Sequence, residues 1–524
     1  MRAGLTRPGQ VYYLRRTACF FQACDGGVPA MDSYRNLITT TPGGSGAVFS
    51  CVRLALLGFF LFIFFARWNI GLADNGDFSR YMSWYVTKPA GFSENWPSTA
   101  DPEWKRRFFH YYLPYWEIGA PRPLWHFSAA PLLLAPGFLL NTLFWSPSHL
   151  SLPIATLPLR FALFLLFFRL LKKETSQFSK FRTIPALLTA ILALLMFADD
   201  AYASYINTFF REFPAFFSLI FLTFSIGLAV CFRNIIWTIV SLSIFLFLVA
   251  VRMNHIFIIA LVLLILLPTI KTNLRPIFFL MAAMLTVGVG VVVWHLQNPA
   301  MRGIYQYSAL FYGALSTSAN PAKHLLQFGF DSGEQCINRL YDDVFENDCK
   351  PKFINKVHYY HALRVYLSEP KAFLRSLQLA RETLRDFRPP YPMLPESFPQ
   401  NVRWSSLFSL WTRLTNHFFV TATTVVMIVS LYLLLFFLAK KTRTPHLVTA
   451  AKLGYFLLGV SAVEVVSTLL TNGVPDLLRT LFLGRAAFDL ATLCAAYALS
   501  GLLMFRLFPP APKKGFVGGP VHRW

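Results

Sequence analysis

The sequence contains few charged residues. Asp, Glu, Lys and Arg together make up 14% of its 524 residues, against roughly 25% in an ordinary soluble domain. It also has no Walker A loop, no GxGxxG turn, no internal repeat and no heptad pattern. Its seven cysteines show no CxxC or Cys/His spacing of the kind that holds zinc. These absences leave the class of the protein to be decided by its apolar runs.

Long apolar runs are abundant. Hydrophobic residues account for 55% of the chain, and the mean hydropathy is +0.48. A helix needs about 20 apolar residues to cross a bilayer, and windows of that length predict about ten transmembrane helices. They lie near residues 49–66, 155–171, 184–200, 214–231, 235–251, 254–270, 276–295, 417–438, 450–470 and 486–507. The sequence therefore predicts an all-α polytopic membrane protein.

Lys and Arg are concentrated in alternate short loops, which predicts an orientation. With a cytoplasmic N-terminus, the inner segments, which all carry Lys or Arg, are 172–182, 232–234, 271–275, 439–446 and 509–524. Both termini are then cytoplasmic, with the chain in a bacterial inner membrane. The net charge of +23 reflects this topology and an affinity for anionic lipid in the bilayer. No nucleic-acid partner is expected.

The same pattern divides the chain into five regions. They are a disordered cytoplasmic N-terminus (1–48), a transmembrane module (49–295) with its first outer loop at 67–154, an outer-face helical loop domain (296–416), C-terminal transmembrane helices (417–508) and a cytoplasmic tail (509–524). Leucines at three- and four-residue steps within 360–384 predict the helices of the loop domain. The apolar stretch 129–145 is interpreted as an interfacial or re-entrant helix, because an eleventh span would put the basic segment 172–182 outside.

The segment "GLADNGDFSRYM" (residues 71–82) follows the first predicted span. Asp74 and Asp77 would share one face of a helix. Two carboxylates in one partly desolvated site raise the pKa of one of them, which suits a general base. We predict Asp77 or Asp74 as the catalytic base and Arg80 as a ligand of phosphate or substrate. A solvated Asp-Asn-Gly turn is the alternative.

A second polar cluster lies in "FADDAYASYINTFFREFPAFF" (residues 197–217), between the third and fourth spans. Asp199 and Asp200 stand where the apolar run ends, and adjacent acids there could coordinate a hard cation through oxygen. A divalent cation, Mg²⁺ or Mn²⁺, is the cofactor that they would hold. The alternative is that both acids only end and hydrate the span. The residues that follow are predicted to bind substrate: Tyr205, Asn207, Arg211 and Glu212.

Cations collect at two more predicted outer turns. Arg252 and His255 lie between the fifth and sixth spans, where a cation suits a lipid phosphate and where snorkelling is the alternative. Arg479 and Arg485 lie in the last outer turn and receive the same prediction. Glu464 falls inside the ninth span, where a charge is costly, so it is either functional or paired with Arg485.

Cys336 and Cys349 share the second large outer loop. That side of a bacterial inner membrane is oxidising. A disulfide between them and two unpaired thiols are both compatible with the sequence.

Acids, cations and aromatic residues on one membrane face suit the transfer of a sugar. A carboxylate can deprotonate the acceptor hydroxyl, and Arg or His can hold the departing phosphate. The expected partners are a polyprenyl-phosphate sugar donor and a glycan or glycolipid acceptor. A transporter or flippase of lipid-linked sugars is the alternative, although its polar groups would line the spans near the midplane. A non-catalytic scaffold would leave the one-sided clustering unexplained.

Four ordered motifs run along the chain: "NGDFSRYM" (75–82), "YASYINTFFREFPA" (202–215), "YSALFYGALSTSANPAKHLLQFGFD" (307–331) and "DLLRTLFLGRAAFDL" (476–490). With them the chain resembles the bacterial glycan-biosynthesis hexose transferases of the WsfD type, polytopic enzymes of the GT-C architecture. The resemblance implies a GT-C-like helix bundle over the first seven spans, a polyprenyl-phosphate hexose donor and outer-face chemistry. It also implies an acidic base or metal ligand in the first outer loop, which maps onto Asp77 or Asp74. Acids of the second outer segment map onto Asp199 and Asp200.

Overall fold

The structure is a computed structural model that describes most of the bundle and much of the predicted outer region. The described residues are 44–66, 85–89, 115–119, 128–171, 179–206, 211–297, 299–330, 333–338, 349, 353, 355–387, 409–473 and 477–507.

The apolar runs form long helices, as their high content of Leu, Phe, Ile and Ala favours. The first nine are α1 (Gly44–Ala66), α2 (Ala130–Phe144), α3 (Leu152–Leu171), α4 (Ser179–Ala198), α5 (Asp200–Ile206), α6 (Glu212–Phe232), α7 (Ile235–Val251), α8 (Ile259–Leu266) and α9 (Arg275–Leu296). Short 3₁₀ segments at Met253–Ile258, Leu267–Thr269 and Thr272–Leu274 connect α7, α8 and α9.

Shorter helices then precede the C-terminal part of the bundle. They are α10 (Pro299–Tyr307), α11 (Leu315–Thr317), α12 (Pro321–Gln327), α13 (Tyr359–Ser368), α14 (Pro370–Arg385) and α15 (Leu410–Asn416), with 3₁₀ turns at Glu334–Cys336 and His417–Phe419. The remaining helices are α16 (Ala422–Lys441), α17 (Pro445–Thr471), α18 (Leu477–Thr480) and α19 (Phe482–Leu507).

The helices confirm a polytopic membrane protein, and each of the ten predicted spans falls on helical structure. Among the described residues, six helices are long and apolar enough to cross a membrane, and a seventh span results if α4 and α5 count as one. Those two helices meet at a bend of 70°. The apolar helical stretches Cys51–Phe62, Ile235–Val251 and Met253–Thr269 are shorter, which accounts for the difference from ten.

The connection between α6 and α7 shows how the sequence sets a tight turn. Arg233 adopts a left-handed conformation, with φ of 48°. The side chain of Asn234 then accepts a hydrogen bond from the amide of Ile236 at 2.8 Å. Such a cap satisfies one of the free amides at a helix start, so the chain reverses within two residues.

The all-α prediction missed a small antiparallel sheet. Its strands are β1 (Val86–Pro89), β2 (Tyr115–Ile118) and β3 (His149–Ser151), in the order β1-β2-β3. Trp116 pairs with Pro89 on one side and with Leu150 on the other. Each strand has only three or four residues, too few for an alternating pattern to stand out in the sequence.

The helix α2 lies in the segment interpreted as interfacial or re-entrant. The buried Asn141 side chain donates to the carbonyls of Ser146 and His149 at 3.0 and 2.8 Å. It accepts from the amide of Ser151 at 2.8 Å. These bonds fix the turn into β3 and α3, and the depth of α2 in the membrane stays a prediction.

The region 299–387 has a hydrophobic core of its own. Its buried members include Tyr307, Leu310, Phe311, Leu325, Phe330, Phe353, Val357, Val365 and Ala372. Cys336 and Cys349 belong to this core and form a disulfide, with their Cα atoms 5.7 Å apart. The structure therefore pairs the two cysteines that the sequence left as either bonded or free.

A π-helical segment, Ser308–Ala314, follows α10 and touches the end of α17. Gly473, just beyond α17, has φ of +70°, and a β-carbon on Gly313 would lie 2.7 Å from the Gly473 Cα. The two backbones touch because neither residue has a side chain. This contact fastens the 299–387 region to the helix that carries Glu464.

Candidate functional site

The predicted base lies outside the described residues. This holds for both candidates, Asp74 and Asp77, and also for the predicted binding residues Arg80 and Asn207. For Arg479 the structure describes the backbone in α18 but not the side chain. Their roles stay predictions.

Arg252 and Arg211 come together at one end of the bundle. Arg252 has an extended backbone, with φ of −154°, between α7 and the following 3₁₀ segment, and Arg211 directly precedes α6. Both residues are buried, with 8% and 7% of their surface exposed. The two guanidinium charges repel each other, while Glu212 and Glu464 attract Arg252 and offset part of that repulsion.

Tyr305 brings α10 to the two arginines. The Nη2 of Arg211 donates to its hydroxyl at 3.4 Å, and the Nε of Arg211 lies 3.5 Å from Oε1 of Glu212. No local pattern marks Tyr305 in the sequence, apart from its place among the aromatic residues that open the second large loop. We name the following residues the arginine cluster: Arg211, Glu212, Arg252, His255, Tyr305 and Glu464.

His255 and Glu464 form a buried pair inside the arginine cluster. The Nδ1 of His255 lies 2.7 Å from Oε1 of Glu464, and each residue is 1% exposed. Because a carboxylate accepts hydrogen bonds, Nδ1 donates and Nε2 is left as the second polar atom of the ring. Within the described part of the chain, neither Nε2 of His255 nor Nη2 of Arg252 has a hydrogen-bond partner. Buried polar atoms require partners, so the cluster is suited to receive a ligand, and its arginines favour an anion.

Arg485 was predicted to bind substrate, but each of its three nitrogens is engaged inside the protein. Its Nε pairs with Asp489 at 3.2 Å, its Nη1 donates to the Leu384 carbonyl at 2.7 Å, and its Nη2 donates to the Thr415 hydroxyl. The side chain is fully buried. These partners indicate a structural role for Arg485. Glu464 pairs with His255 instead of Arg485.

Asp489 extends this network to two further elements. It accepts from the hydroxyl of Tyr202 in α5 at 2.6 Å and from the indole N–H of Trp411 in α15 at 2.9 Å. We name Tyr202, Trp411, Thr415, Arg485 and Asp489 the Arg485 network. It fixes the end of the predicted outer loop against the last long helix.

A family model described as the YfdI N-terminal transmembrane domain matches residues 43–506. The chain belongs to the YfdI family. Comparison with curated proteins and with solved structures gives no match. The matched range contains both the arginine cluster and the Arg485 network, so both are features of a YfdI-family membrane domain.

Asp199 and Asp200, the acids predicted to hold a metal in this YfdI-family chain, are buried within the protein. The carboxylate of Asp199 accepts from the amide and hydroxyl of Thr412 at 2.8 and 2.5 Å and from the amide of Ala201 at 3.0 Å. Asp200 is buried at the first position of α5. Across the described ranges, no three His, Cys, Asp or Glu residues lie close enough to hold a metal ion. These two acids do not fit the predicted divalent-cation site.

Tyr205, also predicted to bind substrate, is fully buried. Its ring lies on that of Phe482, with 3.9 Å between the centroids. Tyr202 and Phe216 contact the same phenylalanine ring. This aromatic group packs α5 and α6 against α19 in the YfdI domain.

Proposed function

We propose that this chain is a membrane glycosyltransferase that moves a hexose from a polyprenyl-phosphate donor to a cell-envelope glycan or glycolipid. In this proposal it works at the outer face of a bacterial inner membrane, with both termini cytoplasmic. It is related to the hexose transferases of the WsfD type and shares their GT-C architecture.

The observation that carries the proposal is the buried pair Arg211 and Arg252. Two mutually repelling guanidinium groups at one end of a membrane bundle favour an anionic ligand, since an anion between them relieves the repulsion. The Nη2 of Arg252 and the Nε2 of His255, which have no hydrogen-bond partner among the described residues, offer it further hydrogen bonds. The phosphate of a lipid-linked sugar is an anion that the membrane itself supplies.

In the proposed reaction, the donor phosphate lies at these two arginines and the acceptor attacks the anomeric carbon. The acceptor hydroxyl loses its proton to the carboxylate of Asp77 or Asp74 and its oxygen bonds to the anomeric carbon. The bond from that carbon to the phosphate oxygen breaks, and its electron pair stays on the polyprenyl phosphate. Arg211 and Arg252 stabilise the charge that develops on this leaving group.

The test uses the full chain in liposomes with radiolabelled polyprenyl-phosphate glucose, galactose or mannose and an envelope glycolipid acceptor. We expect transfer from one donor, and a decrease of about 10²–10³-fold in kcat/KM for Arg252→Asn. Arg233→Asn is the matched control, because Arg233 is exposed at the opposite end of α7 and Asn tolerates its left-handed backbone. Absence of transfer from every donor, or full activity of Arg252→Asn, contradicts the proposal.

A transporter or flippase of lipid-linked sugars is the second candidate. The observation in its favour is the 70° break between α4 and α5, because discontinuous helices are typical of transporters. The same liposomes distinguish the two. A transporter moves the labelled lipid between leaflets without forming a labelled glycolipid product.

A further inference from the structure

One face of α9 forms an apolar groove. Its residues follow each other at steps of one, three and four, as one face of a helix does. With Ala250 of α7 they line an open groove of about 620 Å³. They are Met281, Met284, Leu285, Gly288, Val289, Val292 and Val293. No lining residue carries a polar side chain.

The groove ends beside the arginine cluster. Ala250 lies two positions before Arg252. Near the same end of α9, a β-carbon on Gly290 would lie 2.9 Å from Cδ1 of Ile256, the neighbour of His255. From Met281 to Val293 a helix rises about 18 Å. An apolar groove of about that length therefore runs toward the turn that carries Arg252 and His255.

We infer that this groove binds the isoprenoid chain of the lipid donor, with the donor phosphate at Arg252 and Arg211. The inference rests on the proposed function and adds the place where the lipid chain lies. A single hydrocarbon chain joined to an anionic phosphate matches an apolar groove that ends at two arginines. Met281 and Met284 suit such a chain because unbranched thioether side chains adapt to irregular apolar shapes.

Gly288 offers a direct test, because it lies in the middle of the groove. A β-carbon added there would meet no atom within 4 Å, so a large side chain can fill the groove without disturbing the packing of α9. Val287, the preceding residue, is 59% exposed and does not line the groove. Gly288→Phe and Val287→Phe are therefore a matched pair on adjacent positions of one helix.

The experiment labels the purified full chain with a farnesyl phosphate that carries a diazirine on its last isoprene unit, and locates the adduct by mass spectrometry. We expect the adduct within Arg275–Leu296, a loss of about tenfold in Gly288→Phe and little change in Val287→Phe. A Phe side chain that displaces two or three methylene groups of the isoprenoid chain from the groove weakens binding by about tenfold. Undecaprenyl phosphate should compete for labelling, and dioleoylphosphatidic acid at the same concentration should not.

Equal labelling of the wild-type chain and Gly288→Phe overturns the inference, and so does equal competition by the two lipids. If labelling is lost in Arg252→Asn but unchanged in Gly288→Phe, the phosphate binds at the arginines and the isoprenoid chain does not bind in the groove. If the groove is labelled as expected but no hexose is transferred, the proposed function fails and the groove stands as a site for isoprenoid phosphates.

Discussion

Glu464 accepts a hydrogen bond from Nδ1 of His255 at 2.7 Å, although 209 positions separate the two residues. The pair joins α17 to the turn after α7. It also leaves Nε2 of His255 buried beside Arg252, within the cluster to which we assign the donor phosphate.

The first prediction concerns this pair. Glu464→Ala removes the acceptor of Nδ1, so the imidazole loses its fixed orientation. Transfer should decrease by about 10–100-fold, the cost known for losing the partner that orients a metal-ligating histidine. Glu464→Gln should retain more activity, since its amide oxygen still accepts. The measurement is kcat and KM for the donor, with the thermal unfolding temperature of each variant as control. Equal activity of the Ala and Gln variants contradicts an orienting role.

The second prediction concerns the Arg485 network. Arg485→Met should lower the free energy of unfolding by about 3–5 kcal/mol, because it leaves the buried Asp489 carboxylate without its cation. Arg413→Met is the control, since Arg413 is exposed in α15. Thermal unfolding in detergent measures both variants. An unfolding temperature for Arg485→Met as high as that of the control excludes the structural role.

The third prediction concerns the contact between Gly313 and Gly473. Gly473→Ala should be more destabilising than Gly329→Ala by about 1–3 kcal/mol, the usual cost of overpacking. Both glycines have a φ close to +70°, but a β-carbon on Gly473 would overlap the Ser308 carbonyl, whereas one on Gly329 meets nothing within 4 Å. The comparison therefore isolates the close contact from the backbone conformation. Similar protease resistance of the two variants argues against a fastening contact.

The fourth prediction concerns pH and Glu369, which lies between α13 and α14. Burial acts to raise the pKa of this carboxyl, but hydrogen bonds from Ser318, Ala319 and His324 and the charge of Arg375 outweigh it, so the pKa lies below its usual value of 4.5. A lowered pKa means that the ionised carboxylate stabilises the folded state at neutral pH. This contribution is lost as the pH falls below about 4.5 and through the lower folded pKa. Glu369→Gln should unfold with less dependence on pH in that range, and an unchanged pH dependence rules the prediction out.

The bundle could be predicted from sequence because apolar length is a local property. The fifth span was predicted at 235–251, and α7 covers Ile235–Val251. The sheet was not predictable in the same way. Its strands β2 and β3 lie on either side of α2, and their pairing depends on tertiary contacts that no window of sequence contains.

The candidate site was predictable in its residue types but not in its pairing. Arg252 and His255 stood out because cations are unexpected at that turn, and the structure places Arg211 and Glu464 beside them. Arg485 looked equivalent in the sequence. Its partners Leu384 and Thr415 lie 101 and 70 positions away, so its structural role could not be read locally.

The Arg485 network also joins segments that are synthesised at different times. Asp489 accepts from Tyr202 and Trp411, which precede it by 287 and 78 positions. Because a chain is synthesised from its N-terminus, these two donors are made long before the carboxylate that they bind. The Arg485 network is therefore completed only after α19 has been synthesised. In a chain that stops before α19, the hydroxyl of Tyr202 and the indole N–H of Trp411 have no Asp489 carboxylate to bind.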